Sequence, residues 1–373
     1  PFPLSGSSMT RGRLGLVRTE LLVVLPAWIT ARLFVAAAWV AVRLAGSGSG
    51  PRPVDRGLLA WDGDWYQSLM VHGYDGVAAE GVRFFPGFVL VGRLADAVLP
   101  GGPGVALVVL ANLSAFVATM LLYRLVLLET GRRIVARRAV WALSLFPPAF
   151  VLVWAYGEGL FLALAIGVLL CARRERWLAV ALLALAAGLV RPTGALLAVP
   201  VLGAVWRPTE SSGRLPERIA AVAGGPVGVG IFVWWSSAHF GEAFMPLNVQ
   251  RSLRGDPVNP VRRLVDGIGE VFGGEAMGDG LHIVAVAALL VLLVVLVRNW
   301  PLRYSAFAAS CLVVALAADN LNSLERYALN GVPFVLAVAT LASRRRLGPL
   351  VMAVSATTMP ILAAMAWWGS YVP

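Results

Sequence analysis

Apolar runs of about 17 to 25 residues recur along the whole chain, and this recurrence limits the possible folds more than any other feature. Each run can cross the roughly 30 Å hydrocarbon core of a bilayer as a helix. Helices are expected because backbone polar groups must be paired inside lipid, and the dyad alternation of a transmembrane barrel does not occur. Of the 373 residues, 59% are hydrophobic and 14% are charged. The sequence therefore predicts an all-α, polytopic membrane protein.

The basic residues encode topology rather than nucleic-acid binding. The formal net charge is +11, and because the sequence contains no lysine, every basic side chain other than histidine is an arginine. These arginines occur in short clusters between apolar runs, which is typical of the cytoplasmic loops of multi-pass proteins. Cys171 and Cys311 lie inside apolar runs and indicate neither a disulfide framework nor a metal site. We expect no nucleic-acid partner, no metal and no cofactor.

The arginine clusters select one path of the chain through the membrane. Residues 1–20 are predicted to be a cytoplasmic N-terminal segment, and residues 1–8, ahead of Met9, are expected to be foreign to the native chain. Residues 84–99 are predicted to form an interfacial or re-entrant helix, because a span there would place the arginines of 132–138 outside. About eleven spans result. They cover residues 21–45, 104–128, 137–152, 159–172, 177–190, 194–206, 219–238, 281–298, 304–319, 327–342 and 347–369.

Residues 21–373 then form a single transmembrane domain with outer loops at 46–103, which is expected to be helical, and 239–280. Polar residues at span ends gather on the non-cytoplasmic face: Asp62, Asp64, Tyr156, Glu158, Arg191, Asp319, Glu325 and Arg326. A charge inside a span costs about 2.5–3.5 kcal/mol, so such residues usually face a cavity or a partner. The pattern predicts a site that opens outward. A transporter would more often place polar groups near the midplane of two repeated halves, and no convincing repeat occurs.

The stretch after the first span has the most distinctive pattern, running through Trp61-Asp62-Gly63-Asp64-Trp65-Tyr66, His72-Gly73-Tyr74 and Phe84-Phe85-Pro86. By composition alone, an aromatic belt with solvated aspartates explains it equally well. Two aspartates one residue apart also match a metal-binding pattern of nucleotide-sugar enzymes. Residues two apart on a helix point to nearly opposite sides, so Asp62 and Asp64 are not expected to hold one ion together.

This stretch resembles the PIG-V family, which includes the second mannosyltransferase of GPI-anchor assembly and bacterial relatives. Three later segments add to the resemblance, namely Tyr156-Gly157-Glu158-Gly159-Leu160-Phe161, Leu189-Val190-Arg191-Pro192-Thr193-Gly194 and Arg326-Tyr327. The resemblance extends from Trp61 to Tyr327. It implies a GT-C glycosyltransferase fold and the inverting transfer of a sugar from polyprenyl phosphate on the non-cytoplasmic side. A lipid-linked donor needs no Rossmann domain, and the chain has no motif for one.

The resemblance favours Asp62 as the catalytic base that takes the proton of the acceptor hydroxyl. Arginine suits the departing phosphate, and the candidates are Arg326, Arg191 and Arg83, with Arg251 behind them. The remaining candidates are expected to contact substrate: Asp64, Trp61, Tyr66, His72, Tyr156 and Glu158. The second outer loop contains Asn248, Gln250, Arg251, Arg254 and Asp256, which suit sugar or phosphate recognition.

Structural roles stay open for several of these residues. Arg191 could satisfy carbonyls freed at Pro192, and Arg326 could pair with Glu325 or Asp319 or extend to lipid headgroups. The second outer loop could equally be a mobile, solvated loop. Glu158 could be a structural hydrogen-bond acceptor, and Tyr156 an anchor at the membrane interface.

The predicted function is a polyprenyl-phosphate-sugar-dependent inverting glycosyltransferase, with mannose as the first choice of sugar and a lipid-linked or glycan acceptor. Glucose or arabinofuranose are alternatives within this class. A lipid or polysaccharide transporter and a non-catalytic assembly subunit are alternatives outside it. We expect a multi-pass protein surrounded by lipids of the bacterial plasma membrane, with a cytoplasmic N-terminus and an outward-facing active site.

Overall fold

The computed structural model describes residues 6–46, 51–206, 215–272 and 280–373, with side chains from Glu20 onward. The first five residues of the predicted N-terminal segment, its side chains before Glu20, and Arg207 and Arg214 lie outside the described residues. The described residues form helices and no β-sheet. Five of these helices are long and apolar enough to cross a membrane, and shorter apolar helices accompany them. The prediction of an all-α, multi-pass membrane protein is confirmed at this level.

The first eight α-helices are α1 Gly6–Ala45, α2 Asp62–His72, α3 Pro86–Asp96, α4 Gly102–Thr130, α5 Arg133–Ser144, α6 Glu158–Arg173, α7 Trp177–Val190 and α8 Ala198–Val205. The remaining ones are α9 Leu215–Phe240, α10 Met245–Arg254, α11 Pro260–Phe272, α12 Leu281–Asn299, α13 Leu302–Leu316, α14 Leu324–Asn330, α15 Pro333–Ala342 and α16 Gly348–Trp368. Within the described ranges, 3-10 segments occur at Pro53–Leu59, Ala79–Arg83, Pro147–Leu152 and Pro192–Leu197.

The region predicted to be the first outer loop is helical, as expected, and contains α2 and α3. The apolar segment 84–99 contributes α3, which has 11 residues. A helix of this length extends about 16 Å, roughly half the thickness of the hydrocarbon core. This segment therefore does not cross the membrane as a single straight helix.

Two of the predicted spans are interrupted where prolines occur. Residues 137–152 divide into α5 and a 3-10 segment that begins at Pro147, and residues 327–342 divide into α14 and α15 just before Pro333. Proline lacks the amide that would continue a helix, so each break frees backbone groups that need other partners. Arg32 in α1 donates to the carbonyl of Leu152 at 3.3 Å, and Asn112 in α4 donates to that of Val153 at 2.9 Å. These contacts explain two polar side chains inside otherwise apolar helices.

Small residues let α7 and α9 approach each other closely. A Cβ added to Gly188 would lie 2.3 Å from the carbonyl oxygen of Gly225, and one added to Gly228 would lie 2.1 Å from that of Leu185. Glycine at helix contacts is typical of membrane bundles, in which backbones pack without intervening side chains. This packing holds the end of α7, directly before Arg191.

Ion pairs occur at both ends of the helix bundle. At the end of α4, Glu129 accepts hydrogen bonds from Arg303 at 2.5 Å and Tyr304 at 2.8 Å, and Arg173 at the end of α6 lies 3.3 Å away. Glu158 lies at the opposite end of α6, with the candidate site residues. The end of α4, the end of α6 and the start of α13 thus lie together, away from Glu158. Which face is cytoplasmic stays a prediction.

Candidate functional site

A cavity of about 750 Å³ lies between the α2 region, the turn at Pro192, α10 and α14. Among the described residues, its lining contains one acidic side chain, that of Asp62, and five arginines. The arginines are Arg83, Arg191, Arg251, Arg254 and Arg326. Such an excess of cations suits an anionic ligand, and arginine in particular suits phosphate.

The start of α2 holds Asp62 in place. Trp61 has φ 56° and ψ −118°, a backbone conformation that residues other than glycine rarely adopt. Surrounding contacts must stabilise it. Its indole N–H donates to the carbonyl of Ala366 at 3.0 Å. The amide of Asp62 donates to the hydroxyl oxygen of Tyr156 at 3.3 Å. Asp62 is the first residue of α2, so the positive end of the helix dipole favours its negative charge.

Asp62 belongs to a chain of alternating charges. Arg326 Nη1 pairs with Asp62 Oδ2, and Arg326 Nε lies 3.5 Å from Glu158 Oε1. The same Glu158 oxygen lies 2.6 Å from Arg191 Nη1. Two carboxylates and two guanidinium groups thus neutralise each other where the solvent is largely excluded. The second oxygen of Asp62, Oδ1, lies 4.0 Å from Arg83 Nη2.

The alternative pairings considered for these arginines are wrong. Arg191 pairs with Glu158 rather than with carbonyls at the Pro192 break, and Arg326 pairs with Asp62 rather than with Glu325 or Asp319. Adjacent helix residues diverge by about 100°, so Glu325 and Arg326 leave α14 in different directions.

Tyr156 and Glu158 lie behind the cavity. Glu158 is 0% exposed and Tyr156 is fully buried, and neither lines the cavity, although both were expected to contact substrate. Burial raises the pKa of the Tyr156 hydroxyl well above its ordinary value, and the nearby Asp62 carboxylate adds to this shift. Their contacts make them supports for Asp62, Arg191 and Arg326.

Of the substrate contacts predicted in α2, the structure brings Trp61 and Tyr66 to the cavity and leaves out Asp64 and His72. Asp64 pairs with Arg56 and its side chain is 49% exposed. His72 is exposed at the end of the helix. Two positions along a helix correspond to a rotation of about 200°, and this explains why Asp62 and Asp64 face different surroundings.

Aromatic rings form the wall next to Arg83. Trp65 and Phe84 stack with their ring centroids 6.0 Å apart, and the Arg83 guanidinium lies 4.7 Å from the Phe84 centroid. Tyr66 packs edge-on against Phe84 at 5.0 Å. Burial raises the pKa of Tyr66, so this hydroxyl stays protonated. A flat aromatic wall beside a cation suits the mixed apolar and polar faces of a sugar ring.

A buried cluster that the sequence did not reveal positions α14. Glu325 accepts a hydrogen bond from the Tyr371 hydroxyl at 2.9 Å, and its other oxygen lies 2.9 Å from His282 Nδ1. Ser323, which has φ 65°, donates to the main-chain oxygen of Pro373 at 2.6 Å. These contacts connect α12, α14 and the segment after α16. Because Ala366 also holds Trp61, this end of α16 aligns both partners of the Asp62–Arg326 pair.

Several hydrogen-bond donors of the cavity lack an acceptor. The Nε atoms of Arg191 and Arg254 and the Oγ1 atom of Thr193 are buried without a hydrogen-bond partner among the described residues, and Arg326 Nε has only the Glu158 carboxylate, at 3.5 Å. All four residues line the cavity. Leaving a buried donor unpaired costs about 1–3 kcal/mol, so a ligand rich in acceptor oxygens would be stabilised there. Among the described residues, no group of three or more His, Cys, Asp or Glu could hold a metal ion.

The fold and the cavity together define a helical, multi-pass membrane protein with an arginine-rich cavity around one carboxylate. No model of a known protein family matches the chain, and no curated protein matches it.

Proposed function

We propose that the protein is an inverting GT-C-type glycosyltransferase that moves a sugar from polyprenyl phosphate to a lipid-linked or glycan acceptor. One observation carries this proposal, namely the cavity in which Asp62 is the one acidic side chain among the described lining residues, beside five arginines. Transfer from a sugar phosphate requires a proton acceptor for the attacking hydroxyl and positive charge for the departing phosphate. The cavity offers both groups within one space.

In the proposed reaction, the acceptor hydroxyl oxygen attacks the anomeric carbon on the side opposite the phosphate. A new glycosidic C–O bond forms, and the bond between the anomeric carbon and the phosphate oxygen breaks. The bonding electrons leave with the polyprenyl phosphate, and the hydroxyl proton moves to the carboxylate of Asp62. Arg326 holds Asp62 Oδ2, while Oδ1 has no hydrogen bond with a described residue and can receive the proton. The configuration of the sugar is inverted.

The lining next to the arginines supports a lipid-linked donor. Leu247, Leu253 and Val314 line the cavity and remain exposed. An apolar flank beside cations suits a prenyl chain joined to a phosphate. The stacked Trp65 and Phe84 rings suit the sugar.

Mannose is the first choice of sugar because of the resemblance to the PIG-V family, and glucose and arabinofuranose are the alternatives. We further propose that the protein acts in the bacterial plasma membrane, with this cavity on the non-cytoplasmic side. The rival function, transport of a lipid or polysaccharide, requires no proton acceptor at Asp62.

Asp62→Asn tests the proposal, with Asp64→Asn as a matched control from the same helix. The purified proteins are incubated with polyprenyl phosphates of mannose, glucose and arabinofuranose and with membrane lipids, and products are identified by mass spectrometry. Loss of a general base lowers turnover by roughly 10²- to 10⁴-fold, so Asp62→Asn should lose nearly all transfer. Asp64 lies outside the cavity and pairs with Arg56, so Asp64→Asn should stay within about threefold of the wild type.

Two outcomes would contradict the proposal. One is a folded Asp62→Asn protein with wild-type turnover, which would remove the proton acceptor from the reaction. The other is a wild-type protein that transfers none of the three sugars, which would favour transport or an assembly role.

A further inference from the structure

Four of the five arginines that line the cavity fall into two groups, and the fifth, Arg83, lies 4.0 Å from Asp62 Oδ1. Arg191 and Arg326 are each paired with a carboxylate, so most of their charge is already compensated. Arg251 and Arg254, both on α10, have no carboxylate within 4.0 Å among the described residues. Because opposite charges in a partly buried site compensate each other, an anionic ligand experiences chiefly the second group. Arg251 and Arg254 therefore carry more uncompensated charge for a phosphate than Arg191 and Arg326 do.

The Arg254 side chain is held in place and still has hydrogen-bond donors available. Its guanidinium carbon lies 4.5 Å from the ring centroid of Tyr327, a cation–π contact that helps to fix the position of the group. Its Nη2 atom lies 3.4 Å from the carbonyl oxygens of Asn320 and Asn322, at the long end of hydrogen-bonding distance. Its Nε–H is buried without an acceptor among the described residues. The guanidinium edge is thus available to an oxygen-rich group.

The end of α10 is fastened to the loop that precedes α14. The amide of Asn320 donates to the carbonyl of Arg254 at 3.1 Å, and the amide of Val258 donates to that of Ala317 at 3.2 Å. Gly255 has φ +76°, and a Cβ there would lie 2.5 Å from Cβ of Asp319. The tight turn brings the two segments into contact. A preorganised cation binds its ligand with little loss of conformational entropy.

One face of α10 combines apolar and cationic groups. Leu247, Arg251 and Arg254 are at positions i, i+4 and i+7, which share a helix face, and all three line the cavity. Gln250, one turn before Arg254, also lines it and donates to the Tyr327 hydroxyl oxygen at 3.3 Å. This face suits an amphiphile whose anionic head is attached to a hydrocarbon chain.

We propose that Arg254, supported by Arg251, forms the subsite for the phosphate group of a prenyl phosphate, with Tyr327 as the platform under the Arg254 guanidinium. This inference rests on the proposed function and deepens it. It assigns Arg326 and Arg191 to holding the carboxylates Asp62 and Glu158. The phosphate and the proton acceptor are thereby bound by separate sets of groups.

Binding of farnesyl phosphate to the purified full chain in detergent, measured by isothermal titration calorimetry, tests the subsite without any need for turnover. Arg254→Gln should raise the Kd by roughly ten- to a hundredfold, the effect of losing a hydrogen bond to a charged group. Arg254→Lys keeps the positive charge but loses the planar pair of guanidinium donors, so its Kd should lie between those of the wild type and Arg254→Gln. Arg262→Gln is the matched control, because Arg262 belongs to α11, lies outside the cavity lining and has an 83% exposed side chain. Its Kd should be unchanged.

Titrations with other ligands distinguish a prenyl phosphate from free phosphate and from lipid headgroups. If the phosphate is recognised, farnesol should bind at least tenfold more weakly than farnesyl phosphate. If the prenyl chain also contributes, inorganic phosphate should bind as weakly as farnesol. Phosphatidylglycerol should not displace farnesyl phosphate at equal concentration. Equal displacement by phosphatidylglycerol would assign the site to bilayer headgroups and overturn the proposal.

The subsite is also overturned if a folded Arg254→Gln protein binds farnesyl phosphate as the wild type does, or if Arg262→Gln weakens binding equally. Failure of the proposed function is a different result. If Arg254→Gln alone loses binding while the wild type transfers no sugar, the phosphate subsite stands and the transferase proposal falls. If the wild type transfers sugar and the Arg254→Gln protein has the same KM for the donor as the wild type, the transferase proposal stands and the phosphate subsite falls.

Discussion

The pair of Glu158 and Arg191 offers a test of how the buried charges are arranged. Arg191 Nη1 lies 2.6 Å from Glu158 Oε1, where two unit charges attract by roughly 6 kcal/mol at an effective dielectric constant of about 20. Desolvation offsets much of this attraction. Removing one partner of a buried pair nevertheless costs about 3–5 kcal/mol, because the other charge stays buried.

The structure predicts that the two single substitutions differ. Glu158→Gln leaves Arg191 without a carboxylate among the described residues, and we expect it to lower the free energy of unfolding by about 4 kcal/mol. Arg191→Gln leaves Glu158 with Arg326, whose Nε lies 3.5 Å from the same oxygen, so we expect a loss of about 2 kcal/mol. The double substitution leaves no uncompensated charge of the pair, since Asp62 stays paired with Arg326, and should cost about 3 kcal/mol, roughly 3 less than the sum of the singles.

The measurement is reversible unfolding in mixed micelles, with the fraction of sodium dodecyl sulfate as denaturant and far-ultraviolet circular dichroism as readout. Each free energy is compared in the same detergent mixture, because the unfolded reference depends on it. If the single losses add within about 0.5 kcal/mol, the two groups are not coupled and the charge chain is refuted. A larger loss for Arg191→Gln than for Glu158→Gln would contradict the shared role of Arg326.

Three further predictions concern the support of the site, the helix packing and the topology. Tyr371→Phe removes one hydrogen bond to the buried carboxylate of α14 and should cost about 1.5–3 kcal/mol in the same unfolding assay. Gly228→Ala should cost about 1–3 kcal/mol because its Cβ would overlap a carbonyl of α7. Gly230→Ala in the same helix meets nothing within 4 Å and should be neutral or stabilising by up to about 1 kcal/mol; an equal loss would contradict the close-packing argument. On intact cells, a membrane-impermeant maleimide should label Asp75→Cys and should label Arg345→Cys only after permeabilisation, and the opposite pattern would invert the proposed orientation.

Much of the architecture follows from local properties of the sequence. The free energy of transferring a segment into lipid is roughly a sum over its residues. Hydropathy and arginine positions therefore predict helices and their ends without knowledge of tertiary contacts. The divergence of Asp62 and Asp64 likewise follows from helical periodicity alone, and the structure confirms it. The interrupted spans were missed, although Pro147 and Pro333 were visible, because an apolar run is equally hydrophobic whether its helix is continuous or broken.

The sequence by itself determined that the chain is a helical membrane protein and named Asp62, Arg191 and Arg326 as candidates. Only the tertiary structure decided that Arg326 meets Asp62, 264 positions away in the chain, and that Glu158 lies behind the cavity. It also revealed that Tyr371 and His282 hold α14. Ionic contacts depend on distances between atoms and weaken as these increase, so residues remote in sequence become partners only once packing has brought their helices together.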